Sequence, residues 1–238
     1  MSTTRSTPSR TTQGARARAR LEITAAIKDE ARRQLADEGA AKLSLRAVAR
    51  ELGMASSALY RYFPSRDDLL TALITDAYDS LGEAAERADA GRAEGATSVT
   101  RWVAVCAAVR DWALAHPQEY ALIYGSPVPG YSAPQSTVPA AARVGLLLIG
   151  LLREAHEAGE TVLPPLAPAA RPEAERIAAD LAPDLPPEIA AALVAAWAQL
   201  FGLVGFEMFG QFQRVVEDRA AFFAQAAARL AEGVGLTH

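Results

Sequence analysis

Apolar residues along this chain recur every three or four positions, the spacing of one helix face. Ile23, Ile27, Ala31 and Leu35 form such a stripe and predict an amphipathic helix over residues 18–38, ended by Gly39. Ser44 follows as an N-cap, with Leu43 before it and Val48 placed to complete a hydrophobic staple. The helix it opens carries Leu45, Val48, Ala49 and Leu52 on one face, and Gly53 supplies the permissive backbone of a tight inter-helix turn. A second short helix, residues 56–62, starts at Ser56 and Ser57 and is pinned by Leu59 and Phe63, leaving Ala58, Tyr60, Arg61 and Tyr62 for other faces. Pro64 stops it, and Ser65 with Asp68 three residues on caps the next helix. Residues 44–68 therefore read as helix, turn, helix, stop and new helix in one block.

The helical spacing continues to the end. Leu69, Leu70, Leu73 and Ile74 carry a helix to about residue 87, and Gly91 and Gly95 break it. Residues 98–115 place Trp102, Cys106 and Val109 on one side and Trp112 on another; His116 and Pro117 then begin a short piece through Tyr124. Further helices are expected over 138–158, 173–181, 187–212 and 218–233, separated by the turn-rich 125–134 and the proline-rich 164–168. Strand-type alternation is absent, so the expected class is all-α, a three-helix helix-turn-helix domain over residues 16–66 followed by a helical body over 67–238. Residues 1–15, poor in apolar side chains, are expected to be a disordered tail.

Charge separates the two parts. Through Leu70 the chain carries 13 Arg and Lys against 8 Asp and Glu, a net +5, while the remaining 11 cations and 20 acids give −9. A basic first part on an acidic body suggests a polyanion partner for the first part alone. Arg16, Arg18 and Arg20 alternate with alanine ahead of the first predicted helix, either against a phosphate backbone or minor groove, or as a solvated tail. A single cysteine, Cys106, excludes an intramolecular disulfide and suits a reducing cytoplasm. The apolar run from Ile189 to Phe206 is long enough to raise a membrane span, but Glu188 and Glu207 bound it and Gly202 and Gly205 dilute it; a buried helix between subunits is expected instead, with no membrane.

No catalytic set assembles. His116, His156 and His238 are scattered, and His156-Glu157 lacks the second histidine of a zinc-protease helix, since Glu160 stands there. No cofactor or metal site is expected, and no enzyme. Trp102, Cys106, Trp112, Tyr120, Tyr124, Tyr131 and Trp197 offer apolar rings with a few polar tips, suited to lining a small-molecule cavity; aromatic residues on helices also serve simply as core. The block at 44–68 has small hydroxyls at a helix start and nearby phenols, which a major-groove helix uses, although the same helix, turn and helix also occurs in plain bundles.

Residues 43–70, with LRAVARELG followed by SSALYRYFPSRDDLL, resemble the DNA-binding signature of bacterial TetR-type transcriptional regulators. The resemblance makes residues 56–62 the recognition helix, with Ser56, Ser57, Ala58 and Arg61 on it, and makes Arg46 a groove or phosphate contact. Tyr60 and Tyr62 would touch backbone or thymine methyls, and Arg66 a phosphate. For Tyr62 packing under the first helix stays open, as does a solvated charge for Arg61. HPQEYALIYGSPVPGY and WAQLFGLVGFEMFG resemble the C-terminal domain of a subgroup with a Trp, His and Gly pattern; Trp197 and Gly202 fit it, but Phe201 stands where histidine is usual. The resemblance implies a homodimer through the last two helices, where Ala191, Ala192, Ala195, Gly202 and Gly205 permit close approach. It also implies a repressor on a double-stranded, pseudopalindromic DNA operator, released by a small-molecule effector. The alternative is a helical binding or scaffold protein without specific DNA recognition.

Overall fold

The computed structural model describes residues 10–237. Among them ten α-helices form and no strand: α1 (Arg10–Glu38), α2 (Leu45–Glu51), α3 (Ser56–Leu59), α4 (Arg66–Ala90), α5 (Ser98–Ala115), α6 (Pro117–Tyr124), α7 (Val138–Glu157), α8 (Arg171–Leu181), α9 (Pro187–Met208) and α10 (Arg219–Gly233). They divide into two compact units, one of Met1–Leu73 with Pro127–Ser132, the other of Ile74–Ser126 with Ala133–His238. The domain limit expected after residue 66 is where α4 begins, and the compact division falls seven residues further on, inside that helix.

Three expectations are corrected. The expected tail over 1–15 lies outside the described residues up to residue 9, but α1 starts at Arg10, so 10–15 are helical. Alanine and arginine are strong helix formers, and the exposed stretch 14–20 extends the amphipathic segment without needing a core of its own. The second helix of the block ends at Leu59 rather than Tyr62. Its last turn tightens, with Tyr62 N donating to Leu59 O at 2.8 Å, before Pro64 makes continuation impossible. Finally, α9 stops at Met208 instead of residue 212. Gly210 adopts φ 78° and Gln211 N reaches back to Phe206 O at 2.8 Å, the closing pair of a left-handed C-terminal turn.

In the first unit the predicted stripe is the core: Ile27, Ala31 and Leu35 of α1 are buried together with Leu45, Val48, Leu59, Phe63, Leu69 and Leu70. Ser44 caps α2, accepting from Ala47 N at 3.4 Å. Gly53 takes φ 63°, which lets Met54 N bond Ala49 O at 2.8 Å and turns the chain from α2 to α3. At the start of α4, Ser65 Oγ accepts from Asp68 N at 3.1 Å and donates to the Asp68 carboxylate at 2.7 Å, the reciprocal cap expected from the sequence.

The second unit is built on α5 and α9. Trp102, Val105, Cys106 and Val109 of α5 are fully buried with Leu148 and Leu152 of α7 and Ile189, Leu200 and Val204 of α9. α10 packs on α5 and α9, α8 on α9, and α6 between α5 and α9. Among the described residues two helical segments, Gln135–Glu157 and α9, are apolar and long enough to cross a membrane by length and composition. Both pack against other helices, and α9 carries a carboxylate into the packing: Arg110 of α5 donates two hydrogen bonds, at 2.7 and 2.6 Å, to Glu207. The Arg110 guanidinium also sits 5.5 Å from the Phe223 ring centre, so one side chain joins α5, α9 and α10. On the far end of α5, Arg101 bonds both Asp89 oxygens at 2.8 and 3.0 Å and Glu154 at 2.6 Å, tying in α4 and α7.

Glu207→Ala should lower unfolding stability by about 3 kcal/mol, since it strands a desolvated guanidinium. The low end of the usual range applies because Arg110 retains Asp111 at 3.6 Å; a change in unfolding free energy below a few tenths of a kcal/mol, measured by denaturant titration, would show that the pair does not bind the helices together. The Arg101 hydrogen bonds hold Asp89 below its ordinary 3.8. A depressed carboxylate contributes stability that is full above the unfolded value and is lost as pH falls through the folded one. Acid titration of the wild type should therefore show a loss of stability below about pH 4 that Asp89→Asn, weaker at neutral pH, lacks in part.

Candidate nucleic-acid interface and ligand-binding body

Leu59 and Phe63 point into the first unit's core, and this pinning decides what α3 leaves outside. Ser56 and Ser57 are exposed at its start, Ala58 is half-buried, and Tyr60 and Arg61 are exposed just beyond its end. Arg46, in the first turn of α2, is exposed as well. A cleft of about 350 Å³ runs along Ser44, Arg46, Tyr60, Ser65 and Arg66, gathering three of the eight expected DNA contacts at one place. Its two arginines and the unit's positive charge suit it to a phosphate.

Two expected contacts carry additional duties. The Arg66 guanidinium donates to Ala40 O at 2.8 Å and lies 3.4 Å from Ala41 O, stitching the start of α4 to the short 3-10 turn (Ala40–Lys42) between α1 and α2. Its side chain is 28% exposed, so any phosphate shares it with this structural role. Tyr62 is half-buried, and the Arg20 guanidinium of α1 lies over its ring at 5.2 Å. Its packing beside the first helix, left open by the sequence, is thus observed. Arg20 is a side chain that helix-by-helix reading did not join to the block, because the pairing spans 42 residues of sequence.

The seven expected ligand residues separate. Trp102 and Cys106 are fully buried core, and burial pushes the Cys106 thiol up to about 12, leaving it protonated and inert. Trp112 donates its indole N–H to Ser80 Oγ at 2.9 Å and stacks on His116, ring centres 5.1 Å apart. Tyr131 belongs to the first unit, where its hydroxyl is 2.9 Å from Thr71 Oγ1. Tyr120, Tyr124 and Trp197 do come together, through a residue the ligand reading left out: Phe201 stacks on Tyr124 at 4.1 Å and meets Trp197 at 4.6 Å. The Tyr120 hydroxyl donates to Phe201 O at 3.1 Å, and burial raises that phenol to about 12. Tyr124 is raised too, by burial and then by its phenol neighbours Tyr78 and Tyr120. The four-residue spacing from Trp197 to Phe201 was the available signal.

Two apolar grooves open on this unit. One of about 440 Å³ lies among α7, α8 and α9, with Trp197, Ile149, Leu193 and Leu146 in its lining; Gly145 has no side chain there, and an added Cβ would stand 3.6 Å from the Trp197 ring. The other, about 470 Å³, lies between α9 and α10 against Gly202, Leu203, Phe206, Phe222 and Leu230. In its lining Phe206 and Phe222 are 56% and 42% exposed, large apolar side chains left without a cover. Among the described residues no three His, Cys, Asp or Glu side chains gather as a metal site.

A helix-turn-helix head with a basic surface, joined in one chain to an all-helical acidic part, defines the class of protein. Residues 27–73 match the family of bacterial regulatory proteins called the tetR family, and residues 102–230 match the tetracyclin repressor-like C-terminal domain. The chain belongs to the TetR family. HTH-type transcriptional regulators of Mycobacterium tuberculosis and Mycobacterium bovis are 47% identical to it over 150 residues. That match covers 61% of this chain and 61% of theirs, so the alignment spans under two thirds of those relatives. Among solved structures, SCO4313, described as a candidate regulatory protein, is 34% identical with a TM-score of 0.75, covering 95% of this chain and 100% of that one. A protein of unknown function from Rhodococcus sp. RHA1 shares the fold at 24% identity and TM-score 0.69, over 91% of this chain and 96% of its own.

The different surroundings of the two arginines in the cleft separate their effects on stability. Arg66→Ala should cost about 1–2 kcal/mol, since it leaves the Ala40 carbonyl without its charged donor. Arg46→Ala should stay within about 0.5 kcal/mol of wild type. Equal denaturation midpoints for the two variants would contradict the structural role given to Arg66.

Proposed function

We propose that this chain is a ligand-responsive transcriptional repressor that binds a pseudopalindromic operator as a homodimer and is released by a small apolar or aromatic molecule. The observation that carries the reading is the set of exposed Arg46, Ser56, Ser57, Tyr60 and Arg61 around α3, on a unit whose 13 cations outnumber its 8 acids. Ser56 and Ser57 at the start of the recognition helix reach base edges, Arg46, Arg61 and Arg66 neutralise phosphates, and Tyr60 and Tyr62 bring a phenol donor with an apolar ring. Homodimer formation is supported by the exposed phenylalanines of α9 and α10, which need a cover that a second copy of the same face supplies. Two heads about 34 Å apart then meet successive major grooves. The α9 helix serves this contact rather than a membrane, given the carboxylate it pairs with Arg110.

The effector reading rests on the ring set Tyr120, Tyr124, Trp197 and Phe201, with Tyr78 at its edge 6.0 Å from Tyr124. Of the other expected residues, Trp102, Cys106 and Trp112 support that set from the core. RolR, whose structure shares this fold at 17% identity and TM-score 0.52, was solved with resorcinol, which accords with a small aromatic effector here. Control requires the effector to bind the conformation with the wrong head spacing more tightly; equal affinity for both would change nothing.

The test is binding to the DNA upstream of the chain's own gene across a salt series. Wild type should bind that duplex with a steep salt dependence and prefer it to random duplex, and Arg46→Ala should reduce the slope by about one. Binding without salt dependence or preference would instead favour a helical scaffold whose head no longer reads DNA.

A further inference from the structure

The stripe that buries α1 in the first unit does not end where the core ends. Counting back from Leu35, Ala31, Ile27 and Ile23, the next positions on the same helix face are Arg20 and Arg16, one turn apart along a rise of about 6 Å. Arg20 is not a solvated tail residue: its guanidinium rests over the ring of Tyr62, the residue that closes the turn after α3. Arg16 follows on the same side, exposed and without an ion pair to any described residue. Arg18 points to the opposite side of the helix, together with Glu22, the only carboxylate between Arg16 and Lys28.

We infer that Arg16 and Arg20 form a rigid helical extension of the DNA interface that holds backbone phosphates next to the recognition helix. This rests on the DNA-binding reading above and deepens it by assigning two contacts outside the helix-turn-helix. Three observations carry it together. The helix continues without a break from Ile23 back past Arg16, so the side chains of Arg16 and Arg20 are held in a defined direction. Tyr62 fixes one guanidinium beside α3, with its planar donors left for an anion. The sole carboxylate between Arg16 and Lys28, Glu22, lies on the Arg18 side of the helix and not on the face of Arg16 and Arg20. The partner is the sugar-phosphate backbone of duplex DNA, read without regard to sequence, since Arg20 is held at Tyr62, past the end of α3, and not at the Ser56 start that faces base edges.

The test uses the full chain and a fluorescently labelled random-sequence duplex, with affinity measured by anisotropy over a range of salt concentrations. The double variant Arg16→Ala/Arg20→Ala should lose about two from the slope of log affinity against log salt, and Arg18→Ala should leave it unchanged within about half. Alanine keeps the helix, so the fold is retained. Arg16→Lys/Arg20→Lys keeps both charges and should restore most of the slope, which a purely structural role of the arginines would not do. A double-alanine slope equal to wild type overturns the extension while leaving DNA binding in place. A loss of about one from Arg18→Ala, the same per charge as the double variant, also overturns it, by showing only the effect of net charge. A wild type that binds without any salt dependence overturns the DNA-binding reading and this inference with it.

Discussion

The paired hydrogen bonds from Arg110 to Glu207 decide how the second unit is assembled. A guanidinium fork and a carboxylate tolerate few relative positions, so the pair sets α5 against α9, and the Phe223 ring over the same guanidinium sets α10 against both. Everything of interest on α9 follows from that placement. Its inward side brings Phe201 to Tyr124 and lets the Tyr120 hydroxyl reach the Phe201 carbonyl. Its outward side is left with Phe206 and the small residues beside it, a surface without a cover in a single chain. The helix is apolar enough to suggest a membrane, yet it holds a carboxylate that is nearly buried and fully paired.

The first unit obeys a different constraint, the shortness of its helices. A four-residue helix such as α3 has no stability of its own, so it exists because Leu59 and Phe63 anchor it, because Gly53 permits the turn into it, and because Pro64 and the Ser65–Asp68 cap start α4 at once. With both apolar positions used for anchoring, Ser56, Ser57, Tyr60 and Arg61 are left in solvent, the hydroxyls, phenol and guanidinium that suit a nucleic acid. Arg66 shows how closely support and contact are combined, since one guanidinium closes the α1–α2 connection and lines the cleft with Arg46 and Tyr60.

Much of this was present in local spacing. Ile27, Ala31 and Leu35, the Ser44 and Ser65 caps and the Gly53 turn act between residues five or fewer apart, and each is observed where it was expected. The misplaced helix ends are local too, but depend on competition: whether Arg and Ala prolong α1 ahead of the stripe, and whether Gly210 or the aromatic residues beyond it end α9. The ligand residues were legible only as a class. Trp102, Trp112 and Trp197 are alike in sequence, and their fates as sealed core, hydrogen-bonded support and half-open ring depend on neighbours from other helices.

By itself the sequence determined the helical class, the order of the helices, the capped block at 44–68, the charge division between +5 and −9, and through its motifs the family. Those properties are sums or short-range patterns, and a helix hydrogen-bonds within itself. Tertiary structure alone decided that Arg20 lies over Tyr62, that Arg66 turns to the Ala40 carbonyl, that Arg110 meets Glu207 across 97 residues, and that Phe201 completes the ring set. Each of these contacts joins residues far apart in the chain, so its energy depends on how whole helices pack, and no periodicity along the sequence encodes which faces will meet.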